Sequence, residues 1–145
     1  MDFQDCIKFA NELHNCYLAT VEGDQPRVRP MGMWFADNTG FYFESKSVKA
    51  ICKQLKKNPK VEIVFHSTKE KPMGKVMRVS GTAEFIDDME LRKKVYEARK
   101  PMLNAQGIKG PEDPLLALFR IHTGEAFFWT GTENIYEEGR EIIKF

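Results

Sequence analysis

Arg27 and Arg29 flank one valine in the run Pro26-Arg27-Val28-Arg29-Pro30, so an extended chain sets both guanidinium groups on the same face. Further along, Ser47 and Lys49 stand where apolar residues at Val48, Ile51, Cys52 and Leu55 open a helical periodicity. The unpaired N–H groups of a helix N-terminus attract anions. Two basic sources could thus converge on one phosphate. Between them runs Pro30-Met31-Gly32-Met33-Trp34. Gly32 has no side chain to hold a flat ring away, and Pro30 has no N–H for a sheet ladder, so this strand is expected to bulge and open toward a ring edge. The backbone N–H groups of Met31 to Met33 would polarise that ring, with Phe43, Glu44 and Ser45 across from them. The pattern suits a phosphorylated planar cofactor.

Each residue also has a plainer reading. Arginine is ordinarily solvent-facing, and Lys46, Lys49, Lys53 and Lys56 recur at helical spacing as a wet stripe would. Phe127-Phe128-Trp129 reads first as core or partner packing. His14, His66 and His122 are scattered and share no ligand spacing with Cys6, Cys16 and Cys52, so no metal site is expected. His66, at a strand end beside a charged loop, is the one histidine placed to give a proton to a substrate. Glu44 and Asp87 show no pairing suited to acid/base hydrolysis, and a Ser-His-Asp nucleophile has no support.

The elements that must position these residues follow from the rest of the chain. At 145 residues it is long enough for one domain with a real core, spanning 1–145. Its 22 Lys and Arg against 21 Asp and Glu leave a formal charge of +1. That balance gives no general attraction to nucleic acid or an acidic membrane. The three cysteines form no close pair, the chain opens without a basic and apolar leader, and no long apolar run occurs. A cytoplasmic protein is expected.

An amphipathic helix is predicted over residues 2–14 behind an Asp2 cap, as a lid on the fold. Strands are predicted at Cys16 to Val21 and Pro26 to Phe35, joined by the turn Glu22-Gly23-Asp24-Gln25. A third covers Phe41 to Glu44, followed by the helix that Asn58-Pro59 stops. Strands continue at Lys60 to Phe65 and Gly74 to Phe85, the latter with a bulge at Gly81. A helix capped near Asp88 runs to about Lys100, where Pro101 breaks it. Strands at Leu115 to His122, Glu125 to Thr130 and through Ile142-Ile143 complete an antiparallel barrel with peripheral helices.

Tyr17-Leu18-Ala19-Thr20, Gly23 with Gln25-Pro26-Arg27-Val28-Arg29-Pro30, Phe41-Tyr42-Phe43 with Ser47 and Lys49, and Asn58-Pro59-Lys60-Val61 occur in an order that resembles the pyridoxamine-phosphate-oxidase-like family of FMN-binding split barrels. The likeness is strongest to its nitroimidazole-reductase-like and general-stress-protein-like branches. It implies a mainly β, six-stranded split barrel that forms a homodimer with two FMN sites at the interface. Arg29 and Lys49 would contact the FMN phosphate with help from Ser47, Arg27 being a weaker candidate, and Trp129 of a second copy would reach the flavin. Val48 departs from the pattern, since the pyridoxamine phosphate oxidases carry a second basic residue there. The segment Gly139 to Phe145 also lacks the arginine-and-histidine element with which those enzymes hold their substrate. The implied activity is transfer of electrons or hydride from NADH or NADPH to a small acceptor such as a quinone or nitroaromatic. Alternatives are a flavin-binding electron carrier or stress-linked sensor without turnover, and a haem or deazaflavin binder on the same barrel.

Overall fold

The computed structural model describes residues 1–132 and 138–145. Asp2 caps α1 (Phe3–Leu13) through a reciprocal pair: its carboxylate accepts from the Asp5 N–H, and the Asp5 carboxylate accepts from the Asp2 N–H. Cys6, Phe9 and Ala10 are the buried face of this helix. The chain then forms β1 (Asn15–Glu22), β2 (Gln25–Gly32), β3 (Phe35–Asp37), β4 (Gly40–Lys46), α2 (Ala50–Lys57), β5 (Lys60–Ser67), β6 (Lys75–Ile86), α3 (Met89–Ala105), β7 (Leu116–Thr130) and β8 (Ile143–Lys144).

The strand order is β2-β1-β5-β6-β7-β4-β3, with β8 on β7, and every pairing is antiparallel. The sheet has eight strands rather than six, because two short segments, β3 and β8, pair at its margins. β1 and β2 pair without interruption from Asn15↔Gly32 to Glu22↔Gln25, with Gly23 at φ +65° in the turn, where a left-handed residue matches the twist of a tight hairpin. The expected bulge in β2 is absent. The chain changes partner just after it, where Met33 N–H donates to His14 O at 2.8 Å and Trp34 N–H to Tyr42 O at 2.9 Å. One predicted strand is therefore two, β2 bonded to β1 and β3 to β4, which joins the two ends of the sheet through the chain.

Alternation sends Cys16, Leu18 and Thr20 of β1, Val61, Ile63 and Phe65 of β5, and Met77 and Val79 of β6 into one core with Phe41, Phe43 and Phe119. Phe43 and Phe119 are cross-strand neighbours with stacked rings 5.3 Å apart. α1 covers one margin: the Asn11 amide donates to Ala36 O and accepts from Ala36 N, both at 2.8 Å, which satisfies a peptide on the edge of β3. The bulge expected at Gly81 is present as a register shift between Gly81 and Ala83.

Two boundaries differ from expectation. β7 is one 15-residue strand, not two, because Gly124 lets it cross β6 closely; a Cβ there would lie 2.0 Å from Ser80 O. Pro101 sits inside α3 rather than ending it, and the distortion falls at Arg99, with φ −124° and ψ 20°. Loss of an amide donor bends the helix, while Leu103 beyond the kink stays buried and holds the last turn in place. α3 covers β7 through a second core of Val95, Tyr96, Leu103, Ile108, Leu116 and Leu118, and reaches β4 through the Arg99–Glu44 pair. Arg92 fixes the loop after α3, donating to Pro111 O at 2.6 Å, Asp113 O at 2.7 Å and Leu116 O at 2.9 Å.

Candidate functional site: a split between β2 and β4

The pairing pattern leaves several runs of strand backbone bonded on one side only among the described residues, and two of them bear on the site. One is β2, which pairs with β1 alone, and the other is Phe43–Lys46 of β4, which pairs with β7 alone. Between them the barrel is split. Three residues separate β4 from α2, whose Gln54 meets Thr20 of β1 and Arg29 of β2 and whose Cys52 meets Ser45 of β4, so the helix lies against both flanks of the split. Pro26 and Pro30 fit the free edge of β2, where a missing N–H leaves no ladder bond unmade.

Arg29 points to the same side as its neighbour Leu18, toward α2. Its Nη1 donates to Thr20 Oγ1 at 2.8 Å, with longer contacts to Leu18 O at 3.3 Å and Arg27 O at 3.4 Å; its Nη2 donates to Gln54 Oε1 at 2.6 Å. All of these acceptors are neutral. Partial burial lowers the Arg29 pKa from its ordinary value, the direction expected for a cation short of solvent. Arg27 lies on the same strand face but is exposed and pairs with Glu22 at 3.1 Å. Of the two arginines, Arg29 is thus the half-buried cation without a carboxylate on it among the described residues.

Lys49 is the N-cap of α2 and is exposed, and among the described residues no side chain caps the helix there. Ser47 precedes the helix and is tied through its N–H to Leu115 O at 2.8 Å. Gln54 and Ala50 share a helix face, so Arg29, held at Gln54, sits about 6 Å along the axis from the first turn of α2. The strand arginine and the helix start are brought together, as the sequence suggested.

Lys46 is not part of an exposed helical stripe. It lies in β4, 9 % exposed, and its Nζ is 3.2 Å from Glu44 Oε2. Arg99 reaches the other Glu44 oxygen at 3.0 Å from the kink of α3. The triad, with Glu44 and Lys46 buried and Arg99 half-buried, carries one net positive charge. Phe43 is wholly in the core, and Ser45, on the same face, is in contact with Cys52 of α2. Met31 is half-buried; Gly32 is exposed, and a Cβ there would meet nothing within 4 Å. Of the Met31 to Met33 amides, that of Met33 is engaged by His14 O and is not free for a ring.

Trp129 is elsewhere, paired with Val76 on the outer side of β6 and β7. It stacks on Phe127 at 5.3 Å, and the guanidinium carbons of Arg78 and Arg140 lie 5.0 and 5.2 Å from its ring. His66 is at the β5–β6 loop, its Nε2 3.2 Å from Met73 O. Gln54 and Thr20 were missed by sequence reasoning. The available signal was a glutamine between Ile51 and Leu55 on the apolar face of α2, where a polar side chain needs a partner.

The sequence model for pyridoxamine 5'-phosphate oxidase matches residues 4–130. The chain belongs to the pyridoxamine 5'-phosphate oxidase family. Among solved members of this fold, a NimC/NimA family protein from Clostridium acetobutylicum is 30 % identical, with a TM-score of 0.77 over 98 % of this chain and 92 % of that one. An FAD-binding protein from Mesorhizobium loti is 18 % identical, with a TM-score of 0.70 over 88 % of this chain and 94 % of that one. The heme storage protein HutZ from Vibrio cholerae is 19 % identical, with a TM-score of 0.66 over 90 % and 95 %. At such identities the last two show the split-barrel fold alone. No curated protein matches the chain. Among the described residues no helix is long and apolar enough to cross a membrane, and no group of three His, Cys, Asp or Glu is placed to hold a metal ion.

Proposed function

We propose that the split binds FMN and that the protein is a cytoplasmic, homodimeric oxidoreductase passing electrons or hydride from NADH or NADPH to a small quinone or nitroaromatic acceptor. The observation that carries this reading is Arg29: a half-buried guanidinium bonded, among the described residues, only to neutral oxygens, and lying one helical turn from a helix start that none of their side chains caps. Such a cation is suited to a phosphate.

Arg29, Lys49 and the first N–H groups of α2 would hold the phosphate, with Ser47 beside them and Arg27 engaged by Glu22. Gly32 leaves room at the β2 edge for a flat ring, with Pro30 and Met31 as its neighbours. The net positive charge of Lys46 and Arg99 around Glu44 favours electron-rich species lodged in the split. FMN supplies the redox chemistry; the chain binds it, orients it and biases its charge. Trp129, on the outer face, would serve the site of a second copy. The family membership supports a flavin in the split, and the segment Gly139 to Phe145, without the arginine-and-histidine element, argues against a pyridoxamine phosphate oxidase.

The test is the visible spectrum of the purified protein with FMN, followed by anaerobic addition of NADH or NADPH. Flavin bleaching faster than for free FMN, then reoxidation by a quinone or nitroaromatic, is the expected result. Bound FMN that is bleached no faster than free FMN would move the reading to an electron carrier. A haem band, or deazaflavin binding indifferent to Lys49, would replace it with the other cofactor class.

A further inference from the structure

Arg29 does not stand alone. Thr20 Oγ1 accepts from Arg29 Nη1 at 2.8 Å and donates to Gln54 Oε1 at 2.6 Å, while that same Gln54 oxygen accepts from Arg29 Nη2 at 2.6 Å. The three side chains close a ring of hydrogen bonds. Gln54 Nε2 in turn donates to Glu22 Oε2 at 3.2 Å, and the other Glu22 oxygen accepts from Arg27 Nη2 at 3.1 Å. This fixes the amide: turned over, Gln54 would set its NH2 against two donors and its oxygen against a carboxylate. Thr20 is 1 % and Gln54 6 % exposed, so water does not substitute freely for either.

The ring decides which part of Arg29 is left to act. A guanidinium offers two planar forks, one formed by Nη1 and Nη2 at its end and one formed by Nε–H with the outer Nη2–H at its side. Thr20 and Gln54 sit on the end fork, one on each terminal nitrogen. Neither Nε–H nor the second Nη2–H has an acceptor among the described residues. The side fork is two parallel donors, the geometry that a phosphate accepts in bidentate fashion.

We infer that Gln54 is a positioning residue for anion binding: with Thr20, and anchored by Glu22, it takes up the end fork of Arg29 and aims the side fork at the ligand phosphate. This rests on the reading of Arg29 as the phosphate anchor. It also requires Gln54 to act on the phosphate of a flavin and not on its ring.

The experiment compares FMN with riboflavin, which has the ring and lacks the phosphate, by fluorescence titration of the wild type and of Gln54→Met and Gln54→Glu. Methionine keeps the length and removes the acceptor. Glutamate keeps the shape and the acceptor but neutralises Arg29 and repels Glu22. The expected result is FMN binding about tenfold weaker in Gln54→Met and at least as weak in Gln54→Glu, with riboflavin within about twofold of wild type in both. Unchanged riboflavin binding also reports an intact fold, and the near-isosteric glutamate variant keeps the test decisive where methionine destabilises the protein. If wild type prefers FMN and both variants keep that preference, the inference is overturned while the Arg29 reading stands. Equal losses for both flavins also overturn it, since they mean general damage. A wild type that binds both flavins alike removes the Arg29 reading and the inference with it.

Discussion

Replacing Arg29 with lysine separates charge from geometry at the proposed anchor. The guanidinium bonds Thr20 and Gln54 with its end fork and has two further donors on its side fork. Each charge-assisted hydrogen bond contributes about 1.5 to 3 kcal/mol. Lysine keeps the positive charge but delivers one contact where arginine delivers two, so FMN should bind about 10- to 150-fold more weakly. Because Arg29 is half exposed, the expected loss is nearer the lower end. Alanine removes charge and both contacts and should cost more than lysine, about 3 kcal/mol. Lys49→Ala, at an exposed position, should cost about 0.5 to 1 kcal/mol, or a few-fold. Thr20 and Gln54 remain bonded to each other at 2.6 Å in all three variants, so the fold should lose only about 1 kcal/mol. Fluorescence titration with FMN measures this, with riboflavin as the phosphate-free reference. An Arg29→Ala protein that binds FMN within twofold of wild type, or loses riboflavin equally, would refute the reasoning.

Gly32→Ala meets open space and should leave thermal stability unchanged while weakening FMN and riboflavin alike; a selective loss of FMN would place Gly32 at the phosphate instead of the ring. Arg92→Met strands three backbone carbonyls and should cost about 3 kcal/mol, a fall in Tm of about 6 to 12 °C, with a shift under about 2 °C counting against it. Burial pushes the Cys6 and Cys16 thiols up to about 12, so a thiol reagent at pH 8 should leave both unmodified until the chain is unfolded. The unfolded thiols ionise first, so their contribution to stability is present below pH 9 and falls as pH rises toward about 12; denaturation midpoints that do not decline across that window would contradict this. Light scattering should give twice the chain mass, because β2 has a free edge among the described residues and Tyr17 and Val28 are 57 % and 70 % exposed; a monomer that binds FMN tightly would remove Trp129 from the site.

The architecture was legible where a local pattern had one physical outcome. Asp2, the glycine turn at 23, the apolar face of α2 and the alternation of β5 and β6 each determine an element with little help from tertiary context. The breaks that define the split were not legible. Met31 to Phe35 reads as continuous strand, and what divides it is a distant hydrogen-bond partner, His14 O. β7 runs on through Gly124 because of space against Ser80, a cross-strand matter, and Pro101 stays inside α3 because Leu103 is buried beyond it. At the site, the spacing of Arg27 and Arg29 gave their shared face but not their different partners. Lys46 looked like one of four exposed lysines until α3 covered Glu44. Gln54 was overlooked because its function comes from Thr20 and Glu22, far from it in the chain.

The most direct test of the central claim is titration of the purified protein with FMN and riboflavin under identical conditions, following flavin absorption and fluorescence. Saturable binding of FMN at least tenfold tighter than riboflavin, with the difference lost in Arg29→Ala, is the result that a phosphate-anchored flavin in the split requires. Equal affinity for the two flavins, or an FMN preference untouched by the loss of Arg29, would contradict it.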